Sequence, residues 1–323
     1  MKVLHSIFTV LAACSLMASA SVTIDWVTVG NTGNAADPST GYGAVGYNYQ
    51  IGKYEVTNAQ YGAFLNATAA TDSYGLYNTN MASSGITRNG SSGSLSYSVT
   101  TALANRPVVY VSWFDAARFA NWLANGQGSG STETGSYTLN GATSGIITAN
   151  AGAQVYIPTE DEWYKAAYYD AQKSVVGGYW SYANKSDTLL SNQIGDTGAA
   201  NYFHFSYAMT GSTAWSTDTV DTSDVGAYGI IASNYYGTFD QLGNVREFND
   251  AIGDGSLRGC RGGSYASRIY LETDMESTTQ LRFVYPESES GDTGFRLASA
   301  VPEPSAIVLT VLASGMMLTR RKR

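Results

Sequence analysis

Three stretches of this chain carry the signals that start a helix and open convincing helices, and all three lie before Tyr169. Each is a capping box, in which a Ser or Thr side chain and an acid or amide three residues on satisfy each other's orphan amides. They are Thr57-Asn58-Ala59-Gln60, Ser112-Trp113-Phe114-Asp115 and Thr159-Glu160-Asp161-Glu162. The helices they open carry Tyr61, Phe64 and Leu65; then Trp113, Ala116, Ala117, Ala120 and Leu123; then Trp163, Ala166 and Ala167. Strand character is confined to short runs. Thr23–Val29 is one, Tyr47–Ile51 alternates Tyr47, Tyr49 and Ile51 with Asn48 and Gln50, and Val108–Val111 reads as a buried strand feeding the second helix. Thr71–Asn105 and Asn125–Ala153 are rich in Gly, Ser, Thr and Asn, with Asn140-Gly141 marking a hairpin turn. From Gly177 onward there is no helix signal, only short strand-like runs broken by Gly, Asp and Asn. With no internal repeat and no linker, the expected fold class is α+β: one irregular domain of few helices, short strands and long ordered loops.

Both ends read as addresses rather than fold. Met1–Ala20 has the form of an export signal: Lys2, an apolar run over Val3–Met17, and an A-x-A-like site at Ala18-Ser19-Ala20. Leu11-Ala12-Ala13-Cys14 also has the form of a lipoprotein signal, so the cleavage site is either Ala20 or Cys14. At the other end, Val301-Pro302-Glu303-Pro304 precedes an apolar run over Ser305–Thr319 and the basic cluster Arg320–Arg323. A helix over that run spans about 22 Å, short of the roughly 30 Å hydrocarbon core. Residues 21–46 form a strand and loop lead-in.

Setting aside Lys2, the four basic residues of Arg320–Arg323 and Glu303 leaves 13 basic and 25 acidic residues, a net charge of −12. Nucleic-acid partners are therefore not expected, because phosphates demand a basic face. Without the leader the chain keeps one cysteine, Cys260, and one histidine, His204. A dithiolate copper site needs two thiolates and a facial-triad iron site needs two histidines, so neither copper nor iron is expected. Cys260 reads as a packed residue or a thiol pairing between two secreted molecules, and His204 as a packed or hydrogen-bonded histidine.

Six motifs stand in order along the body: Glu55-Val56-Thr57-Asn58, Pro107-Val108-x-x-Val111-Ser112-Trp113, Ile157-Pro158-Thr159-Glu160-x-Glu162-Trp163, Gly243-Asn244-Val245-x-Glu247, Arg261-Gly262-Gly263-Ser264-Tyr265 and Gly294-Phe295-Arg296. Together they resemble the formylglycine-generating enzyme (sulfatase-modifying factor) family over residues 47–299. The resemblance implies a C-type-lectin-like variant fold. It also implies one of three activities: oxidation of a sulfatase cysteine, iron-dependent sulfoxide synthesis, or ligand binding without catalysis. Residues 301–323 resemble the PEP-CTERM sorting signal of Gram-negative bacteria. That implies an exosortase-type processing partner, a membrane segment over 305–319 and delivery to the envelope or extracellular matrix.

The family's oxidases place copper-binding cysteines at the positions held here by Ser267 and Glu272, and its sulfoxide synthases need three histidines. The departure falls on the chemistry and spares the structural motifs. The resemblance further implies a structural Ca²⁺ held by Asn244, the Val245 carbonyl and Glu247, with Asn201 a candidate at a second site. The competing reading is a glycine turn with Glu247 in a salt bridge to Arg246 or Arg258. Ser264, Tyr265, Ser267, Glu272 and Arg296 are the candidate ligand cleft, with Arg296 otherwise a buried paired cation. Tyr168, Tyr169, Tyr179, Trp180 and Tyr182 are either core or a platform for a glycan or protein ligand. The expected function is an exported, calcium-stabilised binding or structural module, degenerate at the oxidase site. The alternative is a divergent oxidoreductase acting on a cysteine or other substrate.

Overall fold

The computed structural model describes residues 21–189, 191–215, 220–268, 275–279 and 282–301. The leader Met1–Ala20 with Cys14, the candidate Glu272, and the tail from Pro302 lie outside the described residues. In chain order the elements begin with β1 (Trp26–Val29), β2 (Tyr49–Gly52), α1 (Asn58–Thr68), α2 (Met81–Ser84), β3 (Ile86–Asn89), β4 (Ser96–Val99) and α3 (Trp113–Ala124). Then follow β5 (Val155–Tyr156), α4 (Glu160–Tyr168), β6 (Tyr169–Asp170), β7 (Gly178–Tyr179), β8 (Arg246–Ile252), β9 (Arg258–Arg261), β10 (Arg282–Val284), β11 (Thr293–Phe295) and β12 (Ala298–Ala300). Among the described residues no helix is long and apolar enough to cross a membrane.

All three capping boxes form in both directions. At α4 the Glu162 amide donates to Thr159 Oγ1 at 3.2 Å, while the Thr159 amide donates to Glu162 Oε2 at 2.9 Å. The other Glu162 oxygen accepts from the Tyr47 and Tyr156 hydroxyls at 3.0 and 2.8 Å, tying the helix start to the sheet beside it. Thr159→Ala removes one half of this exchange and is expected to lower the unfolding free energy by about 1 kcal/mol, read by urea denaturation.

Two four-stranded sheets organise the chain. One runs β1-β2-β12-β5, antiparallel throughout, so a strand from the N-terminal lead-in lies in the same sheet as the last described strand. The other runs β10-β9-β8-β11, with β11 parallel to β8. The small hairpins β3–β4 and β6–β7 stand apart. The main core lies between α1, α3 and the second sheet, where Tyr61, Phe64, Phe119, Trp122 and Phe295 form a chain of ring contacts 5.3–6.1 Å apart. A second core gathers around α4, with Trp163, Tyr164, Tyr168 and Tyr202.

Two expectations change. Val108, Val109 and Val111 are buried, but the segment forms no strand because Tyr110 has φ 59° and breaks the pleat. The segment instead bonds piecemeal, Val108 to Val56 and Tyr110 to Ser290. In the predicted hairpin Asn140 and Gly141 both take positive φ, as a tight turn requires, yet the flanking residues make only the isolated bridge Tyr137–Ala149.

Candidate functional site

The last three motifs converge on the second sheet. Gly243 has φ 76°, and a Cβ there would sit 2.1 Å from the Asn201 carbonyl oxygen. The missing side chain lets two loops touch: Asn244 N–H donates to the Asn201 carbonyl at 2.8 Å, and Gly243 N–H to the Gly262 carbonyl at 2.7 Å. Tyr265 N–H in turn donates to the Asn244 carbonyl at 2.9 Å. These bonds bring Asn201, Asn244 and the segment 262–267 into one neighbourhood.

Within it the side chains of Asn244 and Glu247, two of the expected calcium ligands, are already committed to protein partners. Asn244 Oδ1 accepts from the Ser223 amide at 2.9 Å and from Asn201 Nδ2 at 3.1 Å, while its Nδ2 donates to Glu55 Oε1 at 3.1 Å. Burial, then the nearby Asp240 charge, pushes the Glu55 carboxyl well above its ordinary range. Glu247, fully buried, accepts from Arg296 Nε at 2.5 Å and Nη2 at 2.6 Å, and from Trp163 Nε1 at 2.6 Å. A carboxylate gripped by a guanidinium does not fit a second cation.

Arg246 and Arg258, the sequence-based candidates for Glu247's partner, pair with Asp292 and Asp250 instead. Neighbouring strand residues face opposite sides, so Arg246 points away from Glu247. Across the parallel pair Glu247 stands beside Gly294, and Arg296 lies two residues further along the chain.

Two oxygens of the kind a hard cation takes lie nearby. Asn201 donates from Nδ2 to the Asp221 carbonyl at 3.0 Å, and both Asn201 Oδ1 and Asp221 Oδ1 are buried without a hydrogen-bond partner. Oxygens so placed in a fold cost stability unless something binds them. Asp221 was not singled out from the sequence; its only signal there is an acidic residue 20 positions past Asn201.

Ser267 and Ser264 are both fully buried. Ser267 Oγ accepts from the Ser264 amide at 2.9 Å and from Arg246 Nη2 at 3.3 Å, so Ser267 supports the loop rather than opening to solvent. Arg296 is likewise absent from the cleft, since its guanidinium is wrapped by Glu247 and by the carbonyls of Gly52 and Phe239. Of the candidate cleft residues that the structure describes, only Tyr265 lines the open cavity, together with Trp215, Arg246, Ala266, Arg282, Ser290 and Asp292. That cavity holds about 260 Å³. Larger depressions lie elsewhere, one of about 530 Å³ beside Tyr169 and Tyr179, but none of the last three motifs reaches it. In the cleft, burial alone would raise the Asp292 carboxyl, yet Arg246 and the hydroxyls of Ser290 and Ser264 hold it below the usual carboxylate range.

The tyrosine cluster is mostly core. Tyr168, Tyr169 and Tyr182 are buried, and Tyr179 and Trp180 are half-buried with their polar tips bonded to Ala35 and Asp170. Cys260 is buried in β9, where burial pushes its thiol up to about 12. His204 stacks on Tyr202 at 5.6 Å.

The family model described as "Sulfatase-modifying factor enzyme 1-like domain" (FGE-sulfatase) matches residues 27–301. Among solved structures the chain is similar to CarF, at 23% identity and TM-score 0.52, over 87% of this chain and 99% of that one. It is also similar to variable protein 1 of Treponema denticola (18%, TM-score 0.48, covering 88% and 97%). A third similarity is to PvdO from Pseudomonas aeruginosa (16%, TM-score 0.45, covering 86% and 92%). No curated protein matches the chain. The likeness to CarF is one of fold.

Proposed function

The chain belongs to the family of the sulfatase-modifying factor enzyme 1-like domain, and from that premise we propose that it uses the family fold to bind a ligand rather than to oxidise one. The observation that carries this reading is the environment of Ser267. Where the family's oxidases place a copper-binding thiolate, this chain has a buried hydroxyl with a guanidinium nitrogen 3.3 Å away. A soft copper ion needs anionic sulfur there, and a neighbouring positive charge opposes it. The lone mature thiol, Cys260, is buried and strongly disfavoured as a thiolate. Export through Met1–Ala20 and envelope sorting through 301–323, with an exosortase-type enzyme as processing partner, complete the proposal.

The test is metal analysis and oxygen uptake on the protein purified from the cell envelope. The expected result is no stoichiometric copper or iron and no oxygen consumption on a cysteine peptide. Tightly held copper with turnover of that peptide would instead establish the oxidoreductase reading.

The same proposal gives calcium a structural role at Asn201 and Asp221, whose unpartnered oxygens are the hard donors such an ion takes. Chelation is expected to lower the melting temperature and added Ca²⁺ to restore it. At a hundredfold excess over Kd the gain is about 2.7 kcal/mol, or roughly 6 °C. Asp221→Asn, which keeps the shape and removes the charge, should abolish most of that difference. Identical melting with and without the ion removes the calcium role.

A further inference from the structure

We propose that the cleft walled by Trp215, Tyr265, Arg246, Arg282 and Asp292 is a subsite for one acidic sugar unit, a pyranose bearing a carboxylate or sulfate. This rests on the reading that the domain binds rather than oxidises.

The body of the chain is strongly acidic, yet this cleft is a local positive island. Among the described residues its one carboxylate, Asp292, is neutralised by its ion pair with Arg246. Arg282 stands exposed at the same cleft and has no ion-pair partner among the described residues. The other polar groups of the wall are occupied internally: Ser290 Oγ donates to Asp292 Oδ1 at 2.6 Å, and the Tyr265 hydroxyl donates to the Gly291 carbonyl at 3.2 Å. Arg282 is therefore the donor left for an incoming group, and its planar fork matches a carboxylate or sulfate with two parallel bonds. A cationic ligand would meet the Arg282 guanidinium, with Asp292 already paired to Arg246.

Trp215 supplies the second half of the recognition. It is 41% exposed, the only tryptophan among the exposed large apolar residues. Its indole N–H is taken up by the Ala266 carbonyl at 3.1 Å, and Arg268 lies over the ring at 4.5 Å. What the ring offers the cleft is apolar aromatic surface, the kind that packs on the C–H face of a pyranose. The volume of about 260 Å³ lies below that of pockets for drug-sized ligands and suits a single ring. A flat ring surface beside a guanidinium, at that volume, favours an acidic sugar over an acidic peptide, which would need the arginine but not the indole.

The experiment is calorimetric titration of the envelope-purified protein with glucuronate, galacturonate, glucose 6-sulfate, glucose, glucosamine and a short acidic peptide. An acidic sugar is expected to bind at least about tenfold more tightly than glucose, as a charge-assisted bidentate contact implies. Glucosamine should bind more weakly than glucose. The carboxylate and sulfate arms identify which acid is preferred. Arg282→Ala should cost about tenfold or more for the acidic sugar and little for glucose. Trp215→Ala should weaken both sugars by about severalfold to tenfold. Unchanged melting temperatures show that these two exposed-site variants fold, and Arg282→Lys should recover part of the affinity. Preference for the acidic peptide, acidic-sugar binding indifferent to both substitutions, or binding of none of the sugars overturns the proposal. Those failures, in protein free of copper and without oxygen uptake, leave the binding-module reading standing; copper-dependent turnover overturns that reading itself.

Discussion

Arg296→Ala is expected to lower the unfolding free energy by about 3–5 kcal/mol, with a fall in melting temperature of roughly 10 °C. Arg296 and Glu247 are both fully buried, and the guanidinium meets the carboxylate at 2.5 and 2.6 Å. It also donates to the Gly52 carbonyl at 3.0 Å and the Phe239 carbonyl at 2.8 Å. One side chain thus joins the end of β2, the loop before Gly243, and β8. Alanine there strands a carboxylate in the core and leaves two carbonyls without a donor. Lysine keeps the charge but not the fork, so Arg296→Lys should lie between wild type and alanine. A more searching variant changes both partners to apolar residues, Arg296→Met with Glu247→Leu. A buried pair replaced whole is often neutral, whereas a pair broken on one side is costly. The double variant is therefore expected to be more stable than either single one, though below wild type, because the Trp163 N–H loses its acceptor. Denaturant midpoints of the wild type, the two single variants and the double variant decide this; a double variant no better than Arg296→Met would refute the electrostatic account.

The second large effect is expected at Gly243→Ala, at about 3 kcal/mol or more. Two costs act together. The residue sits at φ 76°, which an L side chain adopts with strain, and its Cβ would come 2.1 Å from the Asn201 carbonyl oxygen. Backbone cannot swing aside as a flexible side chain does, so the loops carrying Asn201 and Asn244 must separate. That separation breaks the Asn244 bond to the Asn201 carbonyl and displaces Asn201 from Asp221. The variant should therefore also lose its response to Ca²⁺, a coupling that melting curves with and without chelator read directly. Gly243→Ala with wild-type stability would mean that the two loops are not held in contact.

The helices were legible because their signals are local. A capping box is four consecutive residues, and each of the three formed where it was written. The family motifs were legible for the same reason. Val108–Val111 was misread because four apolar residues say only that the segment is buried; the kink at Tyr110 depends on where Ser290 offers its carbonyl. Asp221 was missed because an aspartate in a polar loop resembles any other until Asn201 is seen beside it.

The single cysteine and single histidine of the body, its acidic balance and the starts of the helices are properties of the residues in line. They followed from the sequence alone. Which charges meet was settled only by the tertiary structure. Glu247 passes over its neighbour Arg246 and pairs with Arg296, 49 residues away, because adjacent strand residues face opposite sides and β11 lies parallel against β8. The tertiary structure also buries Ser267, leaves Arg282 exposed at the cleft, and places the unpartnered oxygens of Asn201 and Asp221 in one buried loop cluster. Burial and partner choice are properties of neighbours in space, and a chain read in line does not contain them.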